Sequence, residues 1–149
     1  MVAALSFLVA ATAAAASIPA GWQTVKDSKG LCQIAVPANW TPAAENTGSA
    51  VYQDASVAIA VVTSQPGQAY RPFSDTMLKL MNISRDKLFE NSATRIFYQD
   101  RTGRDPNEPN ALSVMTPGKS GACSSRVVFL GTVPEETAKK IALSVGPVE

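Results

Sequence analysis

Cys123-Ser124-Ser125-Arg126-Val127-Val128-Phe129-Leu130 leads within a few residues into Thr132-Val133-Pro134-Glu135 and then into Ala138, Ile141, Ala142 and Val145. The first stretch alternates and is β-branched near its end, which predicts a strand with Cys123, Val127 and Phe129 on one face. The second opens with a T-x-x-E capping box that puts acids in the first helical turn. Its apolar residues then recur at helical spacing, and Gly146-Pro147 stops the helix. A strand feeding a capped amphipathic helix that needs a sheet to cover it predicts an α+β domain with its C-terminal helix packed on the sheet.

The same periodicities organise the rest of the chain. Trp22 to Lys26 and Leu31 to Val36 are strand candidates joined by the turn-forming Asp27-Ser28-Lys29-Gly30, an opening hairpin. Ala50 to Asp54 and Val57 to Thr63 form a second strand pair, closed by Gln65-Pro66-Gly67-Gln68. The period changes at Phe73, where Phe73, Met77, Leu80 and Met81 line one face of a helix. Ser74 is its expected N-cap, with Phe73 and Leu78 as a hydrophobic staple. Ser84 is expected to cap a short turn running through Leu88 and Phe89. Strands resume at Thr94 to Asp100, Ala111 to Thr116 and Cys123 to Leu130, with Arg101 to Asn110 as a polar loop.

The 149 residues fit one domain, and 46% hydrophobic content suffices for one core without a metal. Thirteen basic residues against twelve acidic ones, with neither sign in a block, argue against nucleic acid or an anionic membrane as the main partner. Met1 to Ser17 carries no charged side chain and runs from Leu5, Phe7, Leu8 and Val9 into small residues, the pattern of a secretory signal peptide. Its apolar centre is short beside the ~20 residues of a membrane span, so no stable span is expected after cleavage. The n-region lacks Lys and Arg, which leaves a retained anchor or a packed helix as alternatives. The expected organisation is therefore residues 1–17 as a signal and 18–149 as one domain, secreted or periplasmic.

Export bears on Cys32 and Cys123, the two cysteines of the chain, because disulfides persist outside the cytosol. Cys32 shares its strand phase with Ile34 and Val36, and Cys123 shares its phase with Val127 and Phe129, so both sulfurs face the core side. One bridge between them is expected. Two separate buried thiols, or a redox pair, are the alternatives.

Catalytic motifs fail one by one. The chain has no histidine, which removes His-based triads, Cys-His dyads and HExxH zinc sites. Ser84-Arg85-Asp86-Lys87 matches S-x-x-K without the S-D-N and K-T-G partners that chemistry needs, and a helix cap is the plainer reading of Ser84. Pro117-Gly118-Lys119-Ser120-Gly121 resembles the end of a P-loop, but Ser113 stands where the first glycine belongs, and a turn between strands is the plainer reading. Asp100, Asp105, Asn107 and Glu108 lack the spacing of a calcium loop. No metal and no cofactor is expected. Partner contact is expected at Trp40, Arg101 and Arg104, since loops on a rigid sheet carry recognition.

The segment Cys32-Gln33-Ile34-Ala35-Val36-Pro37-Ala38-Asn39-Trp40, the ending Val127-Val128-Phe129-Leu130 and the helix after it resemble the PsbP-type domain, in which a strand leads into a VP-x-x-W phrase. The resemblance covers most of the chain after the signal, in element order more than in motif. It implies a mostly antiparallel central sheet sandwiched by helices and a non-enzymatic binding habit, as in extrinsic photosystem subunits, a nuclear import factor and bacterial exported proteins. The expected function is an exported binding or accessory domain of the cell envelope, its partner an unnamed protein or small ligand. The alternative is a small serine hydrolase working without histidine.

Overall fold

The computed structural model describes residues 18–43, 49–54 and 57–149; the expected signal, residues 1–17, lies outside the described residues. In chain order the elements are β1 (Trp22–Lys26), β2 (Cys32–Pro37), β3 (Thr41–Pro42), β4 (Ser49–Asp54), β5 (Ala58–Pro66) and α1 (Asp75–Leu80). A single 3-10 turn over Arg85–Lys87 leads to β6 (Leu88–Asn91), β7 (Ile96–Arg101), β8 (Asn110–Pro117), β9 (Gly121–Phe129), α2 (Glu135–Leu143) and β10 (Gly146–Pro147). All pairings are antiparallel. They build a three-stranded sheet, β1-β2-β10, and a seven-stranded one, β3-β4-β5-β9-β8-β7-β6.

Strand alternation decides which face of the large sheet is dry. On β5, Ala58, Ala60, Val62 and Ser64 are buried, and they pair with Phe129, Val127, Ser125 and Cys123 of β9. Leu112 and Val114 of β8 extend this inner face. Against it lie β2, with Ile34 and Val36, and α2, with Ala138, Ile141 and Ala142 fully buried. The alanines on both sides let helix and sheet approach closely. Ser125 Oγ donates to the Ala142 carbonyl at 2.8 Å, and the Ala35 N–H donates to Ser144 Oγ at 2.8 Å, so the end of α2 is fastened to both sheets.

The Cys32–Cys123 disulfide joins β2 to β9 across this core, with Cα atoms 5.6 Å apart. The inward phase of both residues is what brings the sulfurs together. Beside it, the Asp27 carboxylate closes the opening hairpin. It accepts the N–H groups of Leu31 and Cys32 at 2.8 Å each, that of Lys29 at 3.3 Å, and the Ser64 hydroxyl of β5 at 2.5 Å.

Three local expectations change. Leu88 and Phe89 do not continue a helical turn but begin the edge strand β6. Its pairing with β7 sets the Phe89 ring 4.7 Å from that of Phe97, and this contact outweighs the poor strand propensity of Asn91. The T-x-x-E box does not form, because Val133 turns back on the Leu130 carbonyl and the extended Pro134 is the N-cap, with no side-chain cap bond. Glu135 and Glu136 still occupy the first turn. Gly146-Pro147 does more than stop α2: it pairs with Cys32 and Gln33 as β10.

Candidate functional site

The second face of the large sheet is covered far more thinly. Ile59, Val61, Thr63 and Gln65 of β5 point to it, across from Val128, Arg126, Ser124 and Ala122 of β9. The element beside it is α1, six residues long and without a single buried residue. Met77 is 43% exposed, Leu80 78% and Met81 42%. The apolar stripe that the sequence places on one helix face is therefore real but only half-used.

Local chemistry fixes this helix at both ends. Ser74 Oγ accepts the Met77 N–H at 3.2 Å as N-cap. At the other end the Asn82 N–H bonds to the Lys79 carbonyl and the Ile83 N–H to that of Leu78. Asn82 is left-handed at φ 54°, the residue type that tolerates that position best after glycine in a Schellman stop. The entry is clamped by Asn91 of β6, whose Oδ1 accepts the Phe73 N–H at 2.8 Å and whose Nδ2 donates to the Phe73 carbonyl at 2.9 Å. The Tyr70 hydroxyl donates to the Ser92 carbonyl at 2.6 Å.

Between this strap and the sheet runs a half-open groove of about 390 Å³. Phe73, Met77 and Met81 form one wall, and the floor is Val61 and Thr63 of β5, Ser124 of β9 and Met115 of β8. Gln65 and Arg126 also line it. In register Arg126 lies opposite Val61, four strand residues from Gln65, or about 13 Å along the floor. Three of the four methionines of the chain line the groove, and unbranched thioethers adapt their shape to what they meet.

The polar end is organised around Asp100. Its Oδ2 takes the Arg126 Nε at 2.7 Å and the Ser113 hydroxyl at 3.0 Å. The Arg126 side chain is half exposed. Tyr98 stands next to this pair, its ring 5.9 Å from that of Phe73 in an edge arrangement. Burial is the main force pushing the Tyr98 phenol pKa up, and the Asp100 charge adds to it against the opposing pull of Ser113 and Arg126. A smaller polar notch of about 290 Å³, lined by Asn82, Lys87 and Gln99, adjoins the groove through Met81 and Tyr98.

The residues singled out in sequence fall elsewhere. Trp40 is 4% exposed and belongs to the core, so the indole expected at a contact surface is a packing residue. Arg101 and Arg104 are exposed at the end of β7 and in the loop after it, and neither lines the groove or the notch beside it. Ser84 is exposed before the 3-10 turn, makes no cap bond to the backbone and lines neither cavity. Its hydroxyl is the main cause that holds the Asp86 carboxyl below the ordinary range. Residues 117–121 form the β8–β9 turn, where the Gly118 N–H meets the Gly121 carbonyl at 2.7 Å. Asp105 and Glu108 accept backbone N–H groups of their own loop. Among the described residues no group of three or more acidic or cysteine side chains is placed to hold a metal ion. No described helix is long and apolar enough to cross a membrane.

Sequence reasoning missed Arg126 and Gln65, the polar residues at the two ends of the groove. The available signal was phase: both belong to the opposite strand phase from the buried residues, on strands rich in small and apolar residues.

No protein-family profile and no curated protein matches the chain. Six solved chains do. One, a crystal structure of a protein from Bacteroides thetaiotaomicron, superposes with a TM-score of 0.51 at 10% identity, over 79% of this chain and 45% of that one. The chain thus spans less than half the length of the protein it resembles, and the likeness is one of fold.

Proposed function

We propose that the protein is an exported, non-catalytic binding domain of the cell envelope, PsbP-like in type, that receives an apolar ligand or partner segment in the groove between α1 and the large sheet. In the PsbP-like reading the central sheet lies between helices; α2 on the inner face is in keeping with that order, while the short α1 has no buried residue. The observation that carries the proposal is the groove itself: methionine side chains stand exposed beside a cleft instead of closing it. Half-open apolar clefts with a few polar groups are where ligands are taken up, and contiguous exposed apolar surface marks interaction sites. The leader-like segment, the disulfide and the absence of histidine support export and argue against the commonest hydrolytic chemistry.

The test has two arms. Purified protein and a Ser84→Ala variant are assayed on ester, peptide and phosphate substrates; turnover that disappears with Ser84 would replace this reading by the hydrolase. An apolar fluorescent dye such as anilinonaphthalene sulfonate is then titrated into wild type and Met77→Glu. Saturable binding that Met77→Glu abolishes, with near-UV dichroism unchanged, is expected. Equal binding to both proteins would remove the groove from the proposal.

A further inference from the structure

We infer that the ligand of this groove is an extended apolar peptide ending in a free carboxylate, bound with that carboxylate on Arg126 and a backbone N–H directed to Gln65. The inference rests on the binding reading above and adds the ligand class to it.

Arg126 is held from one side. Asp100 engages only its Nε, at 2.7 Å, and no other described residue takes a hydrogen bond from its two terminal amino groups. A guanidinium held from one side in this way offers its remaining planar edge to a carboxylate, the geometry of a bidentate pair. Asp100 also takes the Ser113 hydroxyl, so the anchor itself is fixed.

The other end needs a donor. Gln65 lines the groove on a half-buried side chain, and its Oε1 is buried with no hydrogen-bond partner among the described residues. A buried acceptor without a partner is costly, and a turn of the carboxamide lets a ligand N–H meet it. A carboxylate at one end and an N–H donor at the other, about 13 Å apart, correspond to about four residues of extended chain. The floor between them is Val61, Thr63 and Ser124, with Met77 and Met81 above, a place for small and apolar side chains. At about 30 Å³ per water-sized atom, a volume of about 390 Å³ takes on the order of a dozen heavy atoms, so part of such a peptide lies in the open half. A fatty acid shares the carboxylate and the apolar body but offers Gln65 nothing.

The experiment is fluorescence anisotropy with the purified protein and a tetrapeptide of alanine, leucine and valine, labelled at its N-terminus. The free acid is compared with its C-terminal amide, and with decanoate as competitor. The free acid is expected to bind at least tenfold more tightly than the amide, Arg126→Gln to erase that difference, and Gln65→Leu to weaken acid and amide alike. Met77→Glu, at an exposed helix position, keeps the proposal testable if Arg126→Gln misfolds, because it must abolish binding of the acid. Equal affinity for acid and amide, discrimination that survives Arg126→Gln, or binding untouched by Met77→Glu overturns the inference. Decanoate that binds tightly through Arg126 while the peptide does not would overturn it in favour of a lipid-derived acid. Dye binding that persists where every peptide fails refutes the ligand class and leaves the binding reading standing.

Discussion

Replacing Asp27 by Asn changes one oxygen to a nitrogen, yet it should measurably weaken the fold. Asp27 is 4% exposed and its carboxylate accepts four hydrogen bonds, three from its own hairpin and one from Ser64 of β5. An asparagine can keep its oxygen on the Leu31 and Cys32 N–H groups, and the Ser64 hydroxyl can turn to accept from the new amide. What is lost is the Lys29 bond and the charge that strengthens the others. Hydrogen bonds to charged groups are worth about 1.5–3 kcal/mol against about 1 for neutral ones, so a loss of about 2 kcal/mol is expected. Asp27→Ala, which leaves buried N–H groups unpaired, should lose about 3–4 kcal/mol.

The pH dependence follows from the same contacts. Burial is the largest influence on this carboxyl and raises its pKa, but the N–H groups of Cys32, Leu31 and Lys29 and the Ser64 hydroxyl together bring it below the ordinary value. A depressed folded-state pKa means that stability is fully present above the unfolded value of about 3.9 and is lost as pH falls through the folded one. Urea unfolding of wild type and Asp27→Asn, disulfide intact, should therefore show a gap at pH 7 that narrows below about pH 4. A gap under about 0.5 kcal/mol at pH 7, within the range of ordinary surface substitutions, or one independent of pH, would refute the reasoning.

Other perturbations test other parts. Removing the disulfide as Cys32→Ala/Cys123→Ala opens a loop of sequence separation 91; the chain-entropy relation assigns that closure about 4–5 kcal/mol, read as a drop in urea midpoint. Gly121→Ala would bring a Cβ within 2.0 Å of the Gln65 carbonyl oxygen, so the β5–β9 ladder must part there; a loss of roughly 2–4 kcal/mol is expected by thermal unfolding. Asn91→Ala releases the two bonds that clamp Phe73, and hydrogen exchange over residues 74–83 should accelerate while α2 stays protected.

The dry half of the molecule was legible because periodicity reports it directly. The phase shared by Cys32, Ile34 and Val36, and that of Cys123, Val127 and Phe129, gave the bridge and the inner face. Ala138, Ile141 and Ala142 gave the seat of α2. The wet half was not legible, for the same reason. Met77, Leu80 and Met81 carry the periodicity of a core-facing helix, and nothing local distinguishes a stripe that is buried from one left beside an open groove. Trp40, in a proline-bracketed loop, reads both as a lid on the core and as a contact residue, and its amphipathic ring packs inward as the lid. Arg126 is a single charge in a β-branched strand, and its partner Asp100 lies 26 residues away on β7, a pairing that only strand order reveals. β6 escaped because Leu88-Phe89 follows Ser84, a cap-type residue that in fact makes no cap bond, and so reads as the continuation of a helical turn.

The proposed binding surface is the outer face of the large sheet, under α1. Methionine methyl NMR tests it most directly, since Met77, Met81 and Met115 all line the groove. With methyl-labelled protein titrated by the free-acid tetrapeptide, these three resonances should shift together and saturably, and Met81→Leu should remove one of them without moving the titration midpoint more than about threefold, the tolerance of a volume-conserving apolar exchange. Methionine methyls that stay in place while the peptide binds would locate the site elsewhere and contradict the account.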